Sequence, residues 1–403
     1  MPVASELDLP FVDSYDPLLR GPRYHQLLGD VRAQSWLASS PLGFIALDHE
    51  SGEFFLRDKR LTFPGMFAAA MFGVTEGPLY EQVARNILNV NGDDHRRLRA
   101  LVNPALNPRA ADRVRPAMRG FLGELIAPFS ATRRTEAVAD ICKPYPSLTI
   151  ATVMGAPLSD APRLHNWSNL IQLQFSPDLV ERRAEVEQAC EEFYDYCNGL
   201  LAARRANPGE DLISLLIAAE EAGDRLSDVE LVNLVLNVLV GGVDTTQAQL
   251  AHALRLFAEH PEQWALLASD PSLAAAAVEE VLRYEPITPF TARITLEEVE
   301  HRGVTFPQGT LIFVAAVTAN RDPQAWDQPD AFDITRGGDS SRVLTFGAGI
   351  HYCLGANLAR AELQEALAFL APRMPGLKLG GEPIFGSVNG IYHLEKLPLR
   401  WGA

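Results

Sequence analysis

Apolar residues recur at three- and four-residue steps along most of the chain, so helical periodicity dominates. The spacing predicts helices near 80–90, 95–105, 109–128, 162–174, 180–206, 211–222, 228–259, 262–268, 272–284 and 356–371. Strand-like runs are fewer, at 43–47, 53–56, 304–306, 311–317 and 396–401. Pro and Gly clusters at 286–289, 307–309, 323–338 and 372–383 mark loops. The stretch 322–346 is long, irregular and polar for a compact domain, as expected of a loop that is functional or packed around something. Asn389-Gly390 is a type I′ turn signal and predicts a hairpin tip near 388–391. No repeat, low-complexity tract or linker divides the chain. The expectation is one domain over residues 1–403, mainly α with small β-sheets.

Composition narrows the function classes. Of 403 residues, 47% are hydrophobic and 21% charged, which is globular rather than disordered. The formal charge of −16 argues against nucleic-acid or anionic-membrane binding unless basic residues are concentrated locally. Four cysteines cannot make a disulfide scaffold, and helical spacing puts Cys190 and Cys197 about 10 Å apart, too far to bridge. The first twenty residues contain no apolar run resembling a signal peptide or anchor. The apolar stretch 231–243 is interrupted by two asparagines and reads as a buried helix. A cytoplasmic, reduced, monomeric protein is expected.

The segment TFGAGIHYCLGANLAR at 345–360 sets three glycines (Gly347, Gly349, Gly355) around Cys353, directly before a helix. Glycines allow positive φ and close approach to something flat or bulky. A cysteine at a helix N-terminus meets the positive end of the dipole and unpaired N–H groups, which favours a thiolate, a strong metal ligand. A buried structural cysteine in a Gly-rich turn is the other reading. Zinc does not fit, because no second cysteine or ligand-spaced histidine set lies nearby.

The segment resembles the haem-binding signature of the cytochrome P450 family, matching at Phe346, Gly347, Gly349, His351, Cys353, Gly355, Leu358, Ala359 and Arg360. The resemblance implies the cytochrome P450 fold, with a long central helix over haem b (iron protoporphyrin IX). It implies that Cys353 is the axial thiolate, that Phe346 packs beside the sulfur, and that His351 hydrogen-bonds a propionate. His95 and Arg99 resemble the family's HxxxR propionate pair, and Arg293 matches the arginine that follows its ExxR helix. A buried dianion needs several such partners. ExxR itself is matched by Glu280 and Arg283, and Arg336 ends a PDxFDxxR pattern begun at Pro329. Alone, Glu280 and Arg283 are a helical ion pair. In the family they are structural and hold the cysteine loop.

Ser227-Asp-Val-Glu230 is a capping box, after which one helix is expected to run to Pro261, roughly 50 Å. Its middle, Val240-Gly-Gly-Val-Asp-Thr-Thr246, holds two glycines that cost about 2 kcal/mol relative to alanine. A threonine hydroxyl there can bond back to the i−4 carbonyl and loosen the helix. A kink at a packing contact is the plain reading. The string also resembles the family's oxygen-activation motif, with Asp244 and Thr245 in the acid–alcohol positions. Cleaving O–O consumes two protons, and a hydroxyl with a carboxylate behind it can deliver them. Asn237 lies four residues before Gly241 on the same face, so its amide points at substrate or is bonded to a neighbouring helix.

By analogy, substrate meets the apolar 61–90 segment, the 165–185 helices, Val240, Gly241, Pro289, Phe290 and the 388–391 tip with Ile391. The implied activity is an O₂-dependent haem monooxygenase that oxidises an apolar small molecule such as a terpenoid, steroid, fatty acid, aromatic or polyketide. Its electrons would come from NAD(P)H through a separate ferredoxin and ferredoxin reductase. A peroxide-driven peroxygenase or decarboxylase, which typically lacks the acid–alcohol pair, and a non-catalytic haem sensor are the alternatives. Between His95 and Arg119 stand seven arginines and one acid, Asp112, so Arg96, Arg97, Arg109 or Arg113 are expected to steer an acidic ferredoxin.

Overall fold

The computed structural model describes residues 1–221, 226–336 and 343–402. The end of the helix expected over 211–222 and residues 337–342 of the irregular 322–346 stretch lie outside them.

Helices build most of the molecule: α1 (Gly21–Gln34), α2 (His49–Arg57), α3 (Gly65–Met71), α4 (Pro78–Arg85), α5 (Gly92–Leu106), α6 (Pro108–Ile126), α7 (Pro144–Met154) and α8 (Ala161–Gln172). They continue as α9 (Leu179–Ala206), α10 (Leu212–Glu221), α11 (Asp228–Gly242), α12 (Asp244–Glu259), α13 (Pro261–Ser269), α14 (Ala274–Tyr284), α15 (Ala316–Ala319) and α16 (Ala356–Leu370). A five-stranded sheet runs in the order Leu37–Ser39, Phe44–Ala46, Leu311–Ala315, Phe290–Thr295, Leu61–Thr62. Only the Phe44–Ala46 and Leu311–Ala315 pair is parallel. The rest of the strand structure is small sheets of two or three strands.

Several expectations change. Residues 53–56 are helical, inside α2: Asp48 caps it by accepting from the Ser51 N–H, and its buried residues Ser51, Gly52, Phe55 and Leu56 follow a helical period. The helix expected over 228–259 is two helices joined at Val243 (φ −87°, ψ −67°). Two adjacent glycines and a back-bonding threonine weaken the ladder there. Strand 311–317 ends at Ala315, where α15 begins. The 396–401 run is interrupted at Leu397: Leu394–Lys396 pairs with Ile384–Phe385, and Pro398–Arg400 joins Arg134–Glu136 and Lys378–Leu379. Gly390 has φ +81°, but Asn389 does not have positive φ, so residues 386–393 form a longer loop and not a type I′ turn. Helix α7 escapes prediction because it is apolar on every side, which erases the amphipathic signal.

The core places α16 against α6, α12 and α14, while α11 and α12 run through the middle, packed on α7 and α8. From Leu231 to Leu236 every residue is buried. Among the described residues, Asp228–Glu259 alone is long and apolar enough to cross a membrane, and 67% of its apolar window is buried inside the protein.

Candidate active site

The cysteine loop is built by backbone. The Cys353 N–H donates to the Phe346 carbonyl at 2.9 Å, and Gly347 N–H to Leu344 at 2.8 Å. Gly347 and Gly349 take φ +68° and +72°, and a Cβ on Gly349 would stand 2.6 Å from the Leu56 carbonyl oxygen. Gly355 is the N-cap of α16. Cys353 is partly accessible, whereas Cys142, Cys190 and Cys197 are free and buried. Burial pushes the Cys353 thiol up, against the Gly355 N–H and the charges of Arg99 and Arg360. The Gly355 N–H at the helix start favours the thiolate, as the sequence argument expects, and burial opposes it. Desolvation outweighs the N–H, and a bound metal cation would reverse that balance. Phe346 is half-buried beneath the Arg360 guanidinium, 4.6 Å from its ring centre. Arg360 is held in turn by Glu279 at 2.6 and 3.0 Å.

Glu280 and Arg283 form a fully buried two-point pair, each contact 2.8 Å, and Arg336 reaches the same carboxylate at 3.1 Å. The remaining Arg283 donors go to the carbonyls of Asn320, Pro329 and Ala331. Asn320 completes the tether: its side chain accepts from Leu344 N–H and donates to Thr345, whose hydroxyl donates to Leu282 O. Asn320 and Thr345 carry no pattern that marks them in the sequence.

Two histidines and two arginines gather beside the loop. His95 and His351 pack ring to ring, and both ring nitrogens of His351 are buried without a hydrogen-bond partner among the described residues. Arg293 is buried and, among the described residues, donates only to its neighbour's carbonyl, Ala292 O. Each is pushed toward its neutral form. Burial first, then Arg293, His95 and Arg99, drive His351 down to about 3. Burial alone lowers Arg293 to about 10, and it is the leading cause for His95 and Arg99 as well. No carboxylate among the described residues pairs with Arg99 or Arg293. Such crowding is costly unless an external anion of at least two charges sits among them. Beside a cysteine loop opened by glycines, that anion set fits the two propionates of a haem.

At the α11–α12 junction Gly241 is exposed although Val240 and Val243 are buried, so the junction presents backbone to solvent. The Thr245 hydroxyl donates to Gly241 O at 2.5 Å. Asp244 is buried; its Oδ2 accepts from Ser168 Oγ at 3.1 Å, and its Oδ1 has no partner. Burial raises its carboxyl to about 7, with the Ser168 donor and the Lys143 charge opposing. Ser168 escaped the sequence reading because it lies 76 residues away on another helix.

The family profile described as Cytochrome P450 matches residues 67–269 and 263–370. The chain is a cytochrome P450. The P450 is 37% identical over 401 residues to luteothin monooxygenase of Streptomyces thioluteus, covering 98% of this chain and 97% of that one. Its fold superposes on the crystal structure of CalO2 with a TM-score of 0.91 at 31% identity, covering 98% and 99%. It superposes on P450BioI, solved in complex with an acyl carrier protein ligated to hexadec-9Z-enoic acid, with a TM-score of 0.84 at 30% identity, covering 94% and 98%. The P450 is therefore a haem-thiolate monooxygenase that uses O₂ and electrons from redox partners to oxidise apolar small molecules.

The remaining expected positions divide. The P450's Asn237 accepts from Ile87 N–H at 3.1 Å and donates to Asn233 O, so its amide stitches the segment after α4 to α11. Val240 is in the core. Pro289 is buried, its carbonyl accepting from Ala316, and Phe290 opens the Phe290–Thr295 strand. Ile391 lies in the 386–393 loop, where its carbonyl contacts the His393 ring. The basic stretch also thins: Arg96 pairs with Asp93, Arg97 with Glu230, and Arg115 and Arg119 with Glu365. Arg109 and Arg113 are exposed and form no ion pair among the described residues.

Proposed function

We propose that this P450 holds haem b between Cys353 and the α11–α12 junction, and hydroxylates an apolar, polyketide-like small molecule in the cytoplasm as one functional domain. Its electrons come from a ferredoxin and its reductase. Reaction of RH with O₂, two electrons and two protons gives ROH and water. When bound, the haem iron supplies the binding and reductive cleavage of O₂.

The chain's own residues do the rest. Cys353 would hold the iron through its sulfur, on a loop braced by Glu280, Arg283 and Arg336. Phe346 and the Gly355 N–H flank its sulfur, limiting solvent and stabilising negative charge there. His95, Arg99, Arg293 and His351 would hold the propionates. Thr245 presents a hydroxyl beside Gly241. Asp244, ionisable near pH 7, holds the proton that replenishes it.

The observation that carries the reading is the α11–α12 junction: the Thr245 hydroxyl bonds back to exposed Gly241, and the preceding residue, Asp244, is a buried acid with one carboxyl oxygen unpartnered among the described residues. A sensor or peroxide-driven enzyme has no need of that delivery route. A reduced carbon monoxide spectrum tests the thiolate; a band without the thiolate shift rejects it. Turnover with ferredoxin, reductase and NAD(P)H tests the oxygen route, and robust turnover with peroxide alone would replace it. The similarity to luteothin monooxygenase supports starting a spin-state screen with polyketides.

A further inference from the structure

Resting on the proton-relay reading above, we propose that Ser168 is a positioning residue: its hydroxyl fixes one carboxyl oxygen of Asp244 so that the other is free to pass protons toward Thr245.

Three observations support this. Helical serines and threonines usually bond back to the i−4 carbonyl, as Ser147, Thr149 and Thr152 do on α7. Ser168 instead spans from α8 to Asp244 Oδ2 at 3.1 Å. Ser168 is fully buried among Leu164, Trp167 and Ile171 on its own helix. A hydroxyl in such apolar company costs stability unless it is hydrogen-bonded, so the bond to Asp244 is the reason it can stand there. Finally, Asp244 Oδ1 is buried with no partner among the described residues, while Oδ2 is taken. One oxygen is anchored and the other is left for a mobile proton.

The charges facing this carboxyl are few. Lys143, just before α7, favours the ionised form. His165 lies one turn before Ser168 on α8 and is held neutral by burial and by Lys143. On α16, Glu362 is bonded to Thr246, the second residue after Asp244, and burial pushes its carboxyl well up. The last three turns of α11 carry no charged residue. Because Ser168 donates, it favours the carboxylate, and its loss must raise the pH at which Asp244 ionises.

The test is an infrared pH titration of the ferric holoenzyme, with Asp244→Asn assigning the carboxyl band. Ser168→Ala is expected to move its midpoint up by about one pH unit, and Ser168→Thr to restore it. If Ser168→Ala does not retain haem, Ser168→Cys, a weaker donor, reads the same band and should shift it in the same direction. An unchanged midpoint in these variants overturns the proposal. Peroxide released per NAD(P)H oxidised, measured without added substrate, gives the second readout. Ser168→Ala should raise it at least about threefold, with Ser168→Thr near wild type; no rise overturns the positioning role. If Asp244→Asn itself leaves peroxide release unchanged, the relay reading fails instead, and the infrared midpoint still decides whether Ser168 positions the carboxyl.

Discussion

The rings of His95 and His351 stand 4.7 Å apart, inclined at 61°, with neither nitrogen of His351 hydrogen-bonded among the described residues. With Arg99 and Arg293 alongside, these rings are arranged for an anion and not for one another. Arg293→Leu should therefore lower haem retention while leaving the haem-free chain as stable as wild type or more so, because an uncompensated buried cation is removed. The ratio of haem to protein absorbance and thermal melts of both forms measure this. Loss of stability in the haem-free form would contradict it.

The two glycines at the α11–α12 junction should behave oppositely. A Cβ on Gly241 meets nothing within 4 Å, so Gly241→Ala should gain up to about 1 kcal/mol of helix stability and add a methyl to the exposed junction. A Cβ on Gly242 would stand 2.3 Å from Ile150 Cδ1, so Gly242→Ala should cost about 1–3 kcal/mol. Denaturant melts separate the two, and altered spin-state titrations should appear with Gly241→Ala.

Asn237→Leu removes the acceptor for the Ile87 N–H. The expected loss is about 1–3 kcal/mol of stability from the orphaned donor, seen in thermal unfolding. A change in substrate preference with unchanged stability would return Asn237 to the pocket.

His252 is fully buried and held down to about 3, by burial first, with Arg255 and His25 assisting and Glu285 opposing. As pH falls below 6.5 the unfolded chain takes up a proton that the folded chain refuses. Stability thus drops by about 1.4 kcal/mol per pH unit for this group until about pH 3. His165, pushed down to about 4, acts in the same direction. Glu285, depressed by His25 and Arg255 against its burial, contributes stability that is lost only below about 4.5. Between pH 6.5 and 4.5, His252→Phe should flatten the pH dependence of unfolding by about one proton. An unchanged slope would show that the ring is already protonated in the fold.

Charge reversal at Arg109 and Arg113 should slow reduction by an acidic ferredoxin and weaken its salt dependence. Reversal at Arg96 or Arg97 should do less, since Asp93 and Glu230 already neutralise them. Stopped-flow reduction across ionic strength compares the four. Equal effects would mean that net charge matters and these two positions do not.

What the chain alone made legible was local. The Cys353 loop was readable because its glycines, cysteine and helix start lie within a few residues. The Glu280–Arg283 pair was readable because helical spacing puts i and i+3 on one face. The soft spot in the 228–259 helix was readable from two adjacent glycines and a threonine able to bond back to the i−4 carbonyl, but its division into two helices at Val243 was not. Long helices with one apolar face, such as 109–128, were found, whereas α1, the short α2 and α7, buried all round, were not.

Tertiary structure decided everything that depends on distant partners. Whether Asn237 meets substrate or backbone depends on Ile87, 150 residues away, and whether Arg97 is free depends on Glu230, 133 away. The thiol of Cys353 is governed by burial more than by its helix terminus, and the carboxyl of Asp244 by burial and a serine on α8. Residue types and short spacings determine which chemistry a chain can carry. Desolvation and contact are collective, so only the folded packing sets which groups are charged, paired or free to react.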